Sequence, residues 1–287
     1  VPVYSNIPGV LPTVVRKFQK EILDHLEVIK DPLQNSEVLS CTEALNIIHF
    51  PDDIEHTIKA RERFAVEELI LLIQHSHAIK EEWKKNKKTI QFQEKPIIIP
   101  KTIPFELTQS QLRSAVEICS DLSEKHPMNR LLVGDVGSGK TIVAGLAMQR
   151  VIEHGFFAAI VAPTQILADQ HTKTLQKFFP EIPTYLVTGK SKPTFDKPGF
   201  IVGTHAVLNV LQKISSPVAL IIFDEQHRFG VRHRSELEHL GIHPHILTMT
   251  ATPIPRSYML SIFSHLSLST IDELPKNRIP TKTWVLP

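Results

Sequence analysis

The fold of this chain is decided by Leu131-Leu132-Val133-Gly134-Asp135-Val136-Gly137-Ser138-Gly139-Lys140-Thr141. The spacing is G-x-x-x-x-G-K-T, the pattern of a loop that cradles phosphate groups. Glycines let the backbone curl so that several N–H groups face one anion, and the helix that follows adds its positive end. A short apolar strand precedes the loop and an amphipathic helix follows at about 142–152. The sequence therefore predicts a nucleotide phosphate site over 134–141, in which Lys140 contacts the outer phosphates and Thr141 ligates Mg²⁺.

The second half of the chain alternates helices with apolar strands. A helix is predicted at about 109–123, and strands are predicted at 131–133, 157–161, 184–188, 200–203, 219–223 and 246–249. Continuous apolar strands separated by helices indicate an α/β fold whose mostly parallel sheet is covered on both faces. Ligands of such sheets bind at the carboxyl ends of the strands, where the phosphate loop also lies.

Two carboxylates follow one of these strands. Asp224 and Glu225 come directly after Leu220-Ile221-Ile222-Phe223. Asp224 could hold Mg²⁺, and Glu225 could accept a proton from the water that attacks the γ-phosphate of ATP. Two adjacent carboxylates combined with a phosphate loop are typical of motors that hydrolyse ATP.

Composition limits the function classes only weakly. A net charge of +2 gives little support for a nucleic-acid partner by itself. Cys41 and Cys119 have no metal-binding spacing and are expected to be reduced thiols. The sequence has no uninterrupted apolar run of the roughly 18 residues that a membrane helix needs, so no membrane partner is expected.

The first part of the chain is predicted to be helical and without a catalytic signature. Helices are expected at 13–30, at 42–48 with Thr42 as cap, and from a cap at Asp52 to about Lys85. A basic run then follows, which is either a solvated helix end or a contact to a phosphate backbone: Lys84, Lys85, Lys87 and Lys88. Prolines after it place the domain boundary before Phe105, which gives a helical layer and linker at 1–104, a nucleotide-binding domain at 105–280 and the start of a further linker at 281–287.

Several ordered stretches resemble the first motor lobe of superfamily-two helicases, in particular the RecG branch-migration translocases. The acidic pair continues as Asp224-Glu225-Gln226-His227-Arg228-Phe229-Gly230-Val231, which is similar to motif II in its RecG form. The other matching stretches are the Q motif at 105–111, motif I at 127–141, motif Ia at 162–171, motif Ib at 202–206, motif III at 249–256, an exit linker at 271–275 and helical residues 60–64 with Glu67 and Glu68. The resemblance implies a RecA-like P-loop NTPase lobe of a cytoplasmic ATP-dependent DNA helicase that remodels forks or junctions in DNA repair and recombination.

The resemblance also implies roles for individual residues. Phe105 and Gln111 would stack on and hydrogen-bond the adenine of ATP. Lys140, Asp224 and Glu225 would be catalytic, with Thr141 and Asp224 on Mg²⁺. Residues that would couple the nucleotide to DNA and to the second lobe are Gln226, His227, Thr250, Thr252 and Arg256. Residues that would contact DNA phosphates without reading sequence are Pro163, Thr164, Gly203, Thr204 and His205. For His205 and His227 the alternative is a packing or solvent-facing histidine.

Three departures from the family pattern qualify this resemblance. Gln165 stands where the family usually has Glu. The connection at 189–198 is short and lacks a helical pattern, so a strand crossover without a helix is expected there. The second RecA-like lobe, with its arginine finger, would lie outside residues 1–287, and the wedge domain would be missing or reduced to residues 1–12. This chain alone is therefore expected to hydrolyse ATP slowly.

Two other enzyme classes and a non-hydrolysing scaffold are the alternatives. A GTPase requires N-K-x-D, but Asn86-Lys87-Lys88-Thr89 lacks the Asp and precedes the phosphate loop. A kinase requires a lid for its acceptor, and no such pattern is evident. A scaffold that binds nucleotide with little hydrolysis of its own stays open for this chain.

Overall fold

The structure is a computed structural model of 287 residues. It describes residues 4, 7–25, 31, 33, 37–85, 88–189, 193–211, 214, 217–224, 243–251 and 265–273. These residues form two compact units, one that extends to Ala78 and one that begins at Ile79. Within the described residues, no helix combines the length and apolar character needed to span a bilayer.

Three helices precede the sheet: α1 Pro12–Asp24, α2 Cys41–His49 and α3 Ile54–Lys84. The Ser40 hydroxyl accepts the Glu43 amide, and the Glu43 carboxylate accepts the Ser40 amide, so these residues form a capping box for α2. The prediction of Thr42 as the cap is therefore wrong, since Thr42 lies inside the helix. The prediction of Asp52 as the cap of α3 is also wrong. The cap is Asp53, whose side chain accepts the backbone amide of His56 at 2.7 Å.

A buried ion cluster stabilises the first unit. Arg63 on α3 is 0% exposed and donates to Asp31 at 2.6 Å and to Glu67 at 2.8 Å. The amides of Leu33 and Cys41 also donate to Asp31, and together with the guanidinium they lower the pKa of its carboxyl. Removing one partner would leave an uncompensated buried charge, which is strongly destabilising.

The second unit contains a seven-stranded sheet in the order β3-β4-β2-β5-β6-β1-β7. Every strand pair is parallel, which confirms the predicted sheet. The strands are β1 Asn129–Gly134, β2 Phe157–Val161, β3 Thr184–Val187, β4 Phe200–Gly203, β5 Val218–Asp224, β6 His245–Thr250 and β7 Ser267–Ile271. The first six match the six predicted strands.

Strand β7, at the sheet edge, was not predicted, because three of its five residues are polar and they form neither a continuous apolar run nor a strict alternation. It pairs with β1, and the predicted exit linker at 271–275 begins at its last residue. The Arg130 guanidinium on β1 donates to the Leu268 carbonyl at 3.0 Å and to the Ser269 hydroxyl at 2.8 Å. Arg130 also forms a two-pronged contact with Asp121 on the neighbouring helix. A buried arginine thus gives the Ser269 hydroxyl of β7 a partner.

Among the described residues, four helices cover the two faces of the sheet: α4 Gln109–Leu122, α5 Lys140–Glu153, α6 Gln165–Phe178 and α7 Ala206–Leu211. Alternate residues of β2 enter different cores, as the pleat of a strand requires. Ala158 and Ile160 pack with α4, α5 and α6, whereas Phe157, Ala159 and Val161 pack with α7. The two layers of helices bury both faces of the central strands.

The segment at 88–104 contains no helix or strand and falls in the same compact unit as the sheet, a unit that begins at Ile79. Phe92 and Ile103 are buried in its core. The buried Arg150 guanidinium on α5 donates to the carbonyls of Gln93, Lys95 and Pro96 at 3.2, 2.6 and 2.9 Å. The proline-containing segment at 88–104 therefore packs on the sheet unit.

An aromatic cluster supports the short connection between β3 and β4. Phe195 contacts Tyr185 and Phe157, with ring centroids 5.2 and 6.0 Å apart, and the Tyr185 hydroxyl donates to the Lys197 carbonyl at 3.0 Å. The parallel β3–β4 pair agrees with the expected crossover, and the described residues at 188–189 and 193–199 contain no helix.

Candidate nucleotide and metal site

The glycine-rich loop joins the carboxyl end of β1 to the start of α5. Gly137 and Gly139 have φ angles of 78° and 90°, in the left-handed region that favours glycine. A Cβ atom on Gly139 would lie 2.4 Å from the amide nitrogen of Gln111, and one on Gly134 would lie 2.5 Å from the Ser138 hydroxyl. The loop geometry therefore requires glycine on two grounds, backbone angle and space.

Two side chains of the loop carry the chemistry expected of a phosphate site. Lys140 donates from Nζ to the carbonyls of Gly134 and Asp135 at 2.8 and 3.0 Å, so its ammonium group lies over the loop. The Ser138 hydroxyl is fully buried and has no hydrogen-bond partner among the described residues. A cation, helix amides and an unsatisfied hydroxyl around one glycine-rich turn fit an anionic ligand.

Gln111 contacts the loop itself. Its carbonyl oxygen accepts the Thr108 amide at 2.9 Å in a capping box, and its amide nitrogen donates to the Ser138 carbonyl at 2.8 Å. The residue is 1% exposed, so the contact to adenine implied by the family stays a prediction. Phe105 is 38% exposed and its ring packs edge-on against Phe178. A partly exposed ring on the segment that leads into α4 is compatible with stacking on a base.

The predicted metal ligands are bridged by a histidine that the sequence patterns did not single out. His171 on α6 lies with Nε2 2.7 Å from Asp224 Oδ2 and with Nδ1 3.4 Å from the Thr141 hydroxyl oxygen. The described residues contain no group of three or more His, Cys, Asp and Glu side chains that could hold a metal ion unaided. A hydroxyl and one carboxylate beside a phosphate loop nevertheless fit Mg²⁺, which is usually held by few protein oxygens together with substrate phosphates.

The strand register places a coupling residue beside the loop. Thr250 on β6 pairs with Val133, one residue before Gly134, and Asp224 pairs with Met249 on the same strand. Thr250 is 1% exposed. The remaining predicted catalytic and coupling residues lie outside the described residues: Glu225, Gln226, His227, Thr252 and Arg256.

The predicted DNA contacts follow two neighbouring strands. β2 pairs with β4, and the Ala162 amide donates to the Gly203 carbonyl at 2.8 Å, so the loops at 163–164 and 203–205 are adjacent. The exposed Thr164 caps α6 by accepting the Leu167 amide. A Cβ atom on Gly203 would lie 2.3 Å from the Val187 carbonyl oxygen, which explains the glycine in this loop. Thr204 and His205 are partly exposed beside it.

The combination of phosphate loop, strand-end carboxylate and two exposed strand-end loops agrees with the result of comparing this chain with known proteins. The family profile described as DEAD/DEAH box helicase matches residues 109–260. The chain belongs to this family. The helicase match spans the sheet from before β1 to beyond β6.

Individual relatives indicate which kind of helicase this chain is similar to. The ATP-dependent DNA helicase RecG of Streptococcus pneumoniae is 36% identical over 305 residues, covering 99% of this chain and 45% of the relative. RecG of Escherichia coli is 34% identical over 322 residues, with 100% of this chain and 46% of the relative covered. A solved structure of RecG bound to a three-way DNA junction superposes with a TM-score of 0.70 at 34% identity, over 97% of this chain and 40% of that chain. This helicase chain spans less than half the length of these RecG relatives.

Proposed function

We propose that this chain is the ATP-binding motor lobe of a RecG-like ATP-dependent DNA helicase that remodels forked or branched DNA in repair and recombination. The observation that carries the proposal is the convergence of the phosphate loop, Thr141 and Asp224 at one edge of a parallel sheet. The named activity of the RecG relatives and the junction in the solved RecG structure support the choice of DNA.

The residues take the following roles in this proposal. Lys140 and the loop amides bind the phosphates of ATP, while Phe105 and Gln111 contribute to the adenine side. Thr141 and Asp224 would hold Mg²⁺, which would supply positive charge beside the phosphates. Glu225, the residue after Asp224, accepts the proton of the attacking water.

The adjacent loops at 163–164 and 203–205 contact the phosphate backbone of DNA. These loops carry the hydroxyls of Thr164 and Thr204, and contacts from such groups to phosphates position a duplex without reading its sequence. The second RecA-like lobe and the wedge domain of a longer RecG-like protein are the further partners of this lobe. In this proposal Gln226 and His227 couple the nucleotide to DNA, while Thr250, Thr252 and Arg256 couple it to the second lobe.

A second candidate is a nucleotide-binding lobe with little hydrolysis of its own. It is favoured by the use of the buried arginines in the lobe: Arg130 binds Asp121 and Arg150 binds three carbonyls, so both serve the fold. An arginine finger typically contributes about 10³–10⁵ in rate, and the resembling family supplies it from the opposing lobe. Slow turnover by this chain alone would thus agree with both candidates.

The deciding experiment measures nucleotide binding and ATP turnover on this chain and on a longer natural form that carries a second lobe. Forked DNA, linear duplex DNA and RNA are compared as stimulants. Turnover of the longer form that is stimulated most by forked DNA is the expected result. Nucleotide binding without stimulated turnover in either form would favour the scaffold, and absence of nucleotide binding would reject both candidates.

A further inference from the structure

One imidazole lies between the two side chains that the proposed function gives to Mg²⁺. His171 contacts the Thr141 hydroxyl through Nδ1 at 3.4 Å and Asp224 Oδ2 through Nε2 at 2.7 Å. His171 is 7% exposed and Asp224 8% exposed. The three side chains come from α6, α5 and the end of β5, so the imidazole joins three elements beside the phosphate loop.

The hydrogen-bonding capacity of these groups gives the contacts a direction. A carboxylate only accepts, and a neutral imidazole has one donor and one acceptor nitrogen. Nε2–H therefore donates to Asp224, and Nδ1 accepts the hydrogen of the Thr141 hydroxyl. With its hydrogen directed at His171, the hydroxyl has its oxygen lone pairs directed elsewhere, as ligation of a cation by a neutral hydroxyl requires.

We propose that His171 is a positioning residue for the magnesium site, a role that rests on the proposed function. It orients the Thr141 hydroxyl and holds one oxygen of Asp224, so that both ligands are fixed before the ion and the nucleotide bind. Groups that hydrogen-bond to metal ligands typically contribute about 10- to 100-fold in metal affinity or activity. Packing alone does not account for an imidazole that contacts both proposed ligands.

The position of His171 on α6 relates this role to the loop at 163–164. The helix begins at Gln165, directly after the Thr164 cap, and His171 lies on the same helix. Because a short helix moves as a unit, the histidine links the metal ligands to the loop proposed for DNA. Motif Ia and the magnesium site are in this way connected by one side chain.

The test is the Mg²⁺ dependence of binding of a fluorescent ADP analogue to the purified 287-residue protein. Affinity is measured first in EDTA and then during a Mg²⁺ titration for wild type, His171→Ala, His171→Gln and His171→Asn. In His171→Ala we expect an affinity in EDTA within about twofold of wild type and a half-saturating Mg²⁺ concentration about 10- to 100-fold higher. Gln, whose amide can reach Asp224, and Asn, whose amide can reach Thr141, should each restore part of the loss.

Thr172→Val is the matched control, because Thr172 is an equally buried neighbour on α6 whose hydroxyl donates to the Ala168 carbonyl. It should leave the Mg²⁺ dependence unchanged. Should His171→Ala fail to fold, as judged by thermal melting in EDTA, the Gln and Asn variants still decide the question. An unchanged Mg²⁺ dependence in all folded His171 variants would overturn the inference alone, whereas a wild-type protein that binds no nucleotide would overturn the proposed function with it.

Discussion

The two ends of the sheet strands in the second unit differ in how several of their polar groups are hydrogen-bonded. At the carboxyl ends lie the glycine-rich loop, Asp224 and the exposed loops after β2 and β4, where Ser138 keeps an unsatisfied hydroxyl. At the amino ends, the segment at 88–104 and His245 use their hydrogen bonds within the protein. Ser138 thus keeps bonding capacity at the end where the nucleotide is proposed to bind, and at the amino end both ring nitrogens of His245 are used within the protein, although the Asn129 side-chain oxygen at the start of β1 is also unpaired.

Lys140→Ala should give the largest functional effect with the smallest structural one. Its loss removes the positive charge over the loop, and removing one group that stabilises transition-state charge typically costs about 10²–10³ in rate. We expect ATP turnover of a longer, two-lobed form to fall by at least about that factor while the melting temperature of the protein changes little. Steady-state turnover and circular dichroism melting measure the two quantities.

Lys173→Ala is the control for this change, since Lys173 is an exposed lysine on α6 away from the loop. It should affect neither turnover nor melting. Normal turnover by Lys140→Ala would contradict the assignment of the loop, and a large fall in its melting temperature would contradict the contrast between the two ends.

At the amino end, acid should destabilise the protein through His245. Burial lowers its pKa to about 4 from 6.5, and protonation would put a hydrogen on Nδ1, which accepts the Met128 amide at 3.0 Å. Because the folded pKa is the lower one, the unfolded state binds more protons between these values. Stability is therefore complete above about pH 6.5 and falls as the pH decreases toward 4, by about 3 kcal/mol from this group.

Urea unfolding at several pH values between 7 and 4 measures this loss. Trp83, whose indole donates to the Pro127 carbonyl just before β1, supplies fluorescence at the same end of the sheet. His245→Gln, which cannot titrate, should flatten the pH dependence, while the exposed His77→Gln should leave it unchanged. An equally steep slope in His245→Gln would assign the acid sensitivity to other groups.

The two glycines that flank α5 allow a direct comparison of the carboxyl and amino ends of the sheet strands. Gly139 and Gly155 have φ angles of 90° and 84°, but a Cβ atom would be crowded by Gln111 only at Gly139. Alanine in a left-handed conformation costs roughly 1–2 kcal/mol at either site. Gly139→Ala should cost about 1 kcal/mol more in unfolding free energy, because it also displaces Gln111 from the Ser138 carbonyl. Of the two variants, only Gly139→Ala should weaken nucleotide binding.

Chemical denaturation and binding of a fluorescent nucleotide, carried out on both alanine variants, test this pair. Equal losses of stability would show that the Gln111 contact contributes little. Weakened nucleotide binding in Gly155→Ala would mean that the amino end of the sheet influences the site more than its geometry suggests.

The features that could be predicted from sequence are the ones specified over short distances along the chain. The loop spacing and the apolar runs of β1 to β6 are local, and the structure confirms them. The same kind of local signal, Thr108-x-x-Gln111, could have indicated the capping box that holds Gln111. Strand β7 could not be predicted in this way, because its buried Ser269 has a partner in Arg130, which is far away in sequence.

His171 could not be predicted for the same reason. It is separated from Thr141 by 30 residues and from Asp224 by 53, so only the folded sheet brings the three side chains together. No metal-binding spacing surrounds it in the sequence. The domain boundary also depends on tertiary contacts, since the proline-containing segment packs on the lobe through Arg150.

The smallest effect is expected at the loops proposed for DNA. Binding of a fluorescent duplex should fall steeply with salt and show no sequence preference, because phosphate binding releases counterions. Thr204→Ala removes one neutral hydroxyl, so affinity should fall by about 2- to 10-fold, the value of one hydrogen bond. The salt slope should stay the same, since no charge is lost.

Fluorescence anisotropy at several salt concentrations measures both the affinity and the salt slope, with Thr174→Ala on the exposed face of α6 as control. A loss that differs between duplex sequences would show that this loop reads bases and would contradict its assignment to the phosphate backbone.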